Sequence, residues 1–430
     1  VHPQATKTAA QLSRRGFLLG AGGIGAGLAL AGCAPLSASS ARPETIRFYV
    51  SKPEVIGYFD TLIAKFHDSQ SKIRVIRDST SNMSANFVRN QPPDLGCWNY
   101  NFSMVSFVEH GALSDLGDMS EASSINPDLW PLLKQTADYP GRRSAIPYSI
   151  TAASVIYNKQ LFADHGVQVP TTWDELIGVC TTLQDAGVTP FYNTYKDTWT
   201  IAQGLFDYSI GGMVDVPRLF TALDREGTGV GSSSSVSFQK DLAAPMAKVT
   251  ELTKYANEDA ASRGYGDGNL AFAKGKAAMY LQGPWALGEI AKTTAKLDLG
   301  TFPLPMTDDP DDRKVRVNVD LALWVPEASR KQEAAREFLS YLMQPAVNDK
   351  YNRDNNGFGV RQNAAPTTNP TLEGMQQYYD DAAFYLGASQ LIPAEIPVAS
   401  YTQSIALGGA PEPQLRSMDA DWSRLALRSA

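Results

Sequence analysis

Histidine is scarce in this chain, with four among 430 residues, His2, His67, His110 and His165. No two stand at a metal-ligand spacing, so no metal site is expected. Cysteine is scarcer, with three, an odd number that cannot all pair. No long lysine- or arginine-rich run occurs and the formal charge is −7. That excludes the basic footprint that a nucleic-acid partner demands. Long hydrophobic runs are also missing, apart from Gly16 to Ala31 near the start.

That run carries Gly20, Gly22 and Gly25 in the pattern G-x-G-x-x-G. A dinucleotide loop needs a strand before those glycines and a helix after them. Ser13-Arg14-Arg15-Gly16-Phe17-Leu18-Leu19 is basic and has no strand alternation, so no cofactor is expected. The run is also shorter than the ~20 apolar residues of a spanning helix. A positive start, a short apolar centre and a small-residue end are the three parts of an export signal. Ser13-Arg14-Arg15-x-Phe17-Leu18 resembles the twin-arginine export motif. Leu30-Ala31-Gly32-Cys33 resembles a lipobox, whose cysteine is acylated and becomes the new N-terminus. Residues 1–32 therefore read as a twin-arginine lipoprotein signal peptide and residues 33–43, rich in Ser, Ala and Pro, as a tether.

The remainder is too long for one core, so two domains are expected. Thr45–Val50 reads as a strand, Val55, Ile56, Phe59, Leu62, Ile63 and Phe66 recur at helical period, and Ile73–Ile76 is a second strand. This βαβ unit implies a parallel sheet flanked by helices. A third strand lies near Leu95–Trp98. Ligands of such sheets sit beyond the carboxyl ends of the strands, here Ser51-Lys52, Asp78-Ser79-Thr80 and Trp98-Asn99-Tyr100. Capping boxes are read at Thr172-Trp173-Asp174-Glu175, opening a helix to Ala186, and at Ser329-Arg330-Lys331-Gln332. Cys180 falls on the apolar face of the first of these helices and reads as a core thiol.

Several segments, in order, resemble the extracellular solute-binding proteins of bacterial ABC importers, the maltose-binding-like sugar group. They are Ile156-Tyr157-Asn158-Lys159-Gln160-Leu161-Phe162, Pro170–Leu176, Phe272–Met279, Gly283-Pro284-Trp285 and Ser329–Gln344. The resemblance implies an α/β, two-lobed periplasmic-binding-protein fold, each lobe a mostly parallel sheet flanked by helices, with hinge crossings between them. The crossings are expected near Ser149–Ala153, Asp312–Asn318 and Gly357–Arg361. Lobe 1 would be 44–150 plus 316–360, and lobe 2 151–315 plus 361–430. A Cys97–Cys180 disulfide would then join two lobes that must move, so none is expected. The resemblance further implies a monomeric binder that captures a di- or oligosaccharide, is anchored through Cys33 to the outer face of the cytoplasmic membrane, and delivers its ligand to permease subunits.

A sugar presents hydroxyls around its edge and apolar C–H patches on its faces, so it calls for flat aromatics and bidentate polar groups. Trp285, in the Gly-Pro-Trp turn, is where the resemblance implies a stacking tryptophan. Trp98, Asn99 and Tyr100 end a strand, and Asn193 and Trp199 stand in a loop that the resemblance places at the ligand. Asp320, with Asn318, interrupts an apolar strand, and a carboxylate there is costly without partners. Val319-Asp320-x-Ala322-Leu323 is similar to a strand of raffinose- and isomalto-oligosaccharide-type binders. Tyr148, Asp78 and Phe358 complete the candidates. Three rivals remain: a binder of another solute such as a glycerophosphate compound, a secreted glycosidase with two facing carboxylates, and a metal binder using Tyr378-Tyr379. A Cys33→Ser chain should be released from the membrane or left unprocessed, as read by cell fractionation, and lysines at Arg14 and Arg15 should block its export; unchanged membrane association would overturn the anchor.

Overall fold

The computed structural model describes residues 42–293 and 296–429; the Gly16–Ala31 run, the Arg14–Arg15 pair and Cys33 lie outside them. Strand β1 (Glu44–Tyr49) alternates, burying Ile46 and Phe48. The helix Ile56–Ser69 follows, turning Phe59, Leu62, Ile63 and Phe66 inward at helical spacing. It returns the chain to β2 (Ile73–Asp78), which pairs in parallel with β1 from Glu44↔Ile73 to Tyr49↔Asp78. Strand β3 (Leu95–Trp98) lies parallel on the other side of β1.

The next strand, β4 (Ile146–Asn158), is thirteen residues long and almost wholly buried. Further along come β5 (Thr189–Phe191), β6 (Ala277–Gln282), β7 (Leu299–Phe302), β8 (Val315–Trp324) and β9 (Phe384–Leu386). The strands run in the order β2-β1-β3-β8-β4-β6-β5, with β7 beside β4 and β9 beside β8. Pairs β5·β6 and β8·β9 are parallel like β1·β2 and β1·β3, whereas every antiparallel pair involves β4 or β8.

Strand β4 changes partners midway. Ile146–Ala153 pairs with β8, and Ser154–Asn158 is flanked by β6 and β7. The β4·β8 ladder also slips by one residue and recovers, between Pro147/Ser149 and Ser149/Ile150. Tyr148 and Asp320 are thereby left without a cross-strand partner. The slip sits beside Pro147, which lacks a ladder donor. The stranded carbonyl of Tyr148 accepts from the Asn348 and Asn352 side chains at 2.8 and 3.1 Å. Beside the slip, Ile150 pairs with Val319 and bridges Phe358, whose N–H donates to the Ile150 carbonyl at 2.7 Å. Three separate stretches of chain thus touch at one residue.

Two apolar clusters flank these strands. One gathers Phe48, Phe59, Tyr148, Trp324, Phe338 and Tyr351; the other gathers Trp173, Leu183, Phe206, Phe238, Met246 and Trp422. Cys97 belongs to the first and Cys180 to the second, and both are buried free thiols. Thr172 caps the helix Trp173–Asp185 by accepting from the Glu175 N–H, while the Glu175 carboxylate closes back on Thr171 rather than on the cap residue. The second box does not form. Its helix begins at Gln332 after an uncapped Lys331; the Ser329 hydroxyl accepts from the Lys331 N–H at 3.2 Å and donates to Asp94, and the Gln332 amide turns back to the Pro326 carbonyl. Among the described residues no helix is long and apolar enough to cross a membrane.

Asn352 holds the slipped β4 carbonyl in a dry setting, being 2% exposed. Asn352→Leu should therefore cost roughly 0.5–1.5 kcal/mol of stability, read by urea unfolding, since the Tyr148 carbonyl keeps Asn348 and loses its second donor.

Candidate ligand-binding cleft

The slip in the β4·β8 ladder determines what Asp320 can do. Released from β4, the Asp320 carbonyl accepts from the Asn99 side-chain amide at 2.5 Å. Its carboxylate receives Lys52 Nζ at 2.7 and 2.8 Å, one contact to each oxygen, and Asn99 again at 3.3 Å. Lys52 follows β1 and Asn99 follows β3, so the carboxyl ends of two parallel strands converge on one residue of β8. Each of the Lys52 and Asp320 side chains keeps partial exposure, 22% and 14%. They form a charged floor that is compensated yet still reachable.

Aromatic rings stand around this floor. Trp285 opens the helix Trp285–Ala291, and its indole N–H donates to Gln282 Oε1 at 3.1 Å. The ring folds over Gly283, where an added Cβ would lie 2.2 Å from it; only glycine lets the indole lie down. Trp199 packs on Tyr265 with ring centroids 4.9 Å apart and is 38% exposed. It sits on the helix Thr198–Ile201, which continues through a π turn, Ala202–Phe206, into Asp207–Gly211. Such turns insert one residue and re-aim side chains, and Gln203 within it also faces the cleft.

The cleft holds about 770 Å³. Amides and hydroxyls line the rest of it: Asn101, Thr151, Asn318, Asn355, Asn356 and Gln390. Gln390 Nε2 donates to Asn318 Oδ1 at 2.8 Å. Its carboxylates come with cations. Asp320 has Lys52, Glu289 has Lys292 at 2.6 Å, and Asp354 has Lys350 and Arg353, leaving Glu54 at the exposed rim. Such a surface can stack flat rings and exchange many hydrogen bonds.

Of the residues singled out from sequence, the cleft brings together Asn99, Trp199, Trp285, Asn318 and Asp320. The others lie elsewhere. Tyr148 is fully buried among Phe59 and Tyr351, in the first apolar cluster. Tyr100 is buried too, its hydroxyl directed at the Ala137 carbonyl. Asp78 folds onto its own turn, accepting from Ser81 Oγ at 2.5 Å and from the Ser81 N–H. Burial opposes its charge, but these bonds and Arg47 hold its carboxyl below the usual range. Asn193 is buried with its N–H donated to Asn257. Phe358 packs on Tyr379 at 4.8 Å beside the Ile150 bridge. Trp98 meets Tyr49 edge-on at 5.8 Å and is absent from the cleft lining.

Tyr265, Gln203, Thr151 and Gln390 were not legible as cleft residues, since each is a common type in an unremarkable stretch. Of the pair Tyr378-Tyr379, the second is buried with its hydroxyl donated to the Gly359 carbonyl. A second cavity, of about 600 Å³, is walled by Phe102, Phe220 and Trp422 with Glu109, Asp224 and Glu226. Phe220 and Trp422 are nearly closed off at 6% and 7% exposure, and the Trp422 N–H is spent on the Leu223 carbonyl. It therefore offers little aromatic face.

The chain was compared with known proteins. It is 25% identical over 331 residues to the multiple sugar-binding protein of Streptococcus mutans, covering 75% of this chain and 77% of that one. It is 23% identical over 333 residues to the melibiose/raffinose/stachyose-binding protein MelE of Bacillus subtilis, covering 74% and 75%. Among solved structures, apo RafE of Streptococcus pneumoniae superposes with a TM-score of 0.79 at 19% identity, covering 90% of this chain and 99% of that one. This likeness gives the two-lobed fold. The sequence pattern of the bacterial extracellular solute-binding proteins matches residues 52–349, well over half the chain, and the chain belongs to that family.

Proposed function

We propose that this chain captures an oligosaccharide in the cleft described above and passes it to an ABC importer, without transforming it. The observation that carries the reading is the pairing of exposed aromatic faces, Trp285 and Trp199–Tyr265, with the Lys52–Asp320–Asn99 floor. Rings stack on the sugar faces while the floor trades hydrogen bonds with its hydroxyls. Relatives named for melibiose, raffinose and stachyose, and a raffinose complex of RafE with a TM-score of 0.73, support an oligosaccharide as the class. The lobes are 44–150 plus 316–360 and 151–315 plus 361–430, and they close about the contact of Ile150 with Val319 and Phe358. Cys33 carries the lipid that holds the monomer outside the cell.

The charges of the cleft argue against the rival ligands. Phosphate recognition wants converging free cations, but Lys52 and Lys292 are both engaged by carboxylates. Glycoside hydrolysis wants two carboxylates facing the bond, and here Asp320, Glu289 and Asp354 are each bound to a cation.

A thermal-shift screen against raffinose, stachyose, melibiose and glycerol 3-phosphate tests the reading. An oligosaccharide should raise the melting temperature and glycerol 3-phosphate should not; a shift with the phosphate alone would overturn it. With the best sugar, Trp285→Ala should cost about 2–4 kcal/mol of binding. Asp320→Asn should cost about 1–3 kcal/mol. Sugar bound as tightly by Trp285→Ala as by the parent would place the site elsewhere.

A further inference from the structure

Behind the cleft lies an ion pair with no exposure at either end. Arg316 Nε donates to Asp207 Oδ2 at 2.7 Å, and both side chains are 0% exposed. The other Asp207 oxygen accepts the Ser389 N–H at 2.7 Å, and the Ser389 hydroxyl donates to Oδ2 at 2.9 Å. The space around the pair is tight. A Cβ on Gly387 would lie 2.4 Å from Asp207 Oδ2 and 2.5 Å from Arg316 Nε. Burying such a pair rarely adds stability over an apolar packing of the same volume, so its location calls for another account.

Asp207 joins three stretches of chain, and each carries a cleft residue close by. It ends the segment that presents Trp199 and Gln203. Arg316 is on β8, where alternate residues share a face, so Arg316, Asn318 and Asp320 follow one another along the same side. Ser389 precedes Gln390, which reaches back to Asn318 at 2.8 Å. When Gln390 donates to Asn318, one amide oxygen of Gln390 and one amide nitrogen of Asn318 remain turned to other partners. Together they offer an acceptor and a donor side by side, the complement of two neighbouring hydroxyls.

We propose that Asp207 is a positioning residue for ligand capture, holding Ser389 and Arg316 so that Gln390 and Asn318 meet as a preformed clamp for a vicinal diol. The proposal rests on the oligosaccharide reading for its ligand, but not for its geometry. Asp207 touches no ligand itself. It supplies the rigid backing that keeps a two-amide contact from collapsing or splaying.

A double-mutant cycle by calorimetric titration with raffinose and stachyose tests it on the purified full chain. Gln390→Ala should weaken binding about tenfold, as loss of a paired hydrogen-bonding group does. Ser389→Ala keeps the backbone bond to Asp207 and loses only the hydroxyl, and should weaken binding about threefold. Asp207→Asn should weaken it about tenfold or more where it folds. In a Gln390→Ala background, Ser389→Ala should have no further effect. Effects that multiply instead, or a Gln390→Ala chain with parental affinity, would overturn the proposal. Should neither sugar bind, the oligosaccharide reading fails and the geometry is still tested by side-chain amide resonances. Gln390 and Asn318 should shift together in Ser389→Ala, with other cleft amides unmoved; unchanged resonances for both would overturn the positioning role.

Discussion

Everything in this protein hangs on the antiparallel pairing of β4 with β8. That ladder is the one place where the sheet begun by β1, β2 and β3 meets the strands β5, β6 and β7. It is almost wholly buried, with β4 covered on both faces along nearly its whole length. The one-residue slip at Tyr148 and Asp320 is tolerated because three asparagines, Asn99, Asn348 and Asn352, take up the two released carbonyls. A regular ladder would have engaged the Asp320 backbone with β4 and left the Asn99 amide without that carbonyl. The Asn99 contact with the floor is thus a product of an irregularity whose two released carbonyls both find side-chain donors.

The sequence displays the local half of this arrangement. Helical periodicity in Phe59, Leu62, Ile63 and Phe66 and alternation in Ile46 and Phe48 mark elements whose one-sided burial is a property of the segment itself. Trp285 and Asp320 stand out because each is costly in its setting, a large ring after a Gly-Pro turn and a carboxylate in an apolar strand. Tyr148 and Asp320 both lose a cross-strand partner at the slip, yet Tyr148 packs in the core while Asp320 lines the cleft. Asp78 and Asn193 are polar residues in promising places, but Asp78 closes on its own turn at Ser81, and Asn193 is buried with its backbone N–H held by Asn257, 64 residues away. Gln390 depends on a partner far away in sequence, and no spacing rule reaches across 72 residues from Asn318 to Gln390. The Ser329 box did not form because the helix starts only at Gln332, so the Ser329 oxygen receives the Lys331 N–H ahead of it.

Charge is handled in the same way throughout. Away from Glu54 at the rim, the cleft carboxylates Asp320, Glu289 and Asp354 have lysines close at hand, and the buried Asp207 has an arginine. A neutral ligand can then enter without paying to displace or strand a charge. The arrangement gives up the strong attraction that a bare ion would offer and keeps directionality, which suits a ligand distinguished by where its hydroxyls point.

The unequal exposure of the tryptophans gives this protein an internal optical reporter. Trp324 is fully buried and Trp173 and Trp422 nearly so, whereas Trp199 is 38% open to solvent at the cleft and Trp285 stands partly open beside it. Indole emission moves to shorter wavelength as water leaves the ring. A bound molecule would dry these two rings, while the partly exposed Trp98 and Trp130, outside the cleft lining, and the buried rings keep their surroundings, so a difference spectrum reports on the cleft. Occupancy could then be followed in the untagged chain at sub-second resolution, with no dye and no labelled ligand.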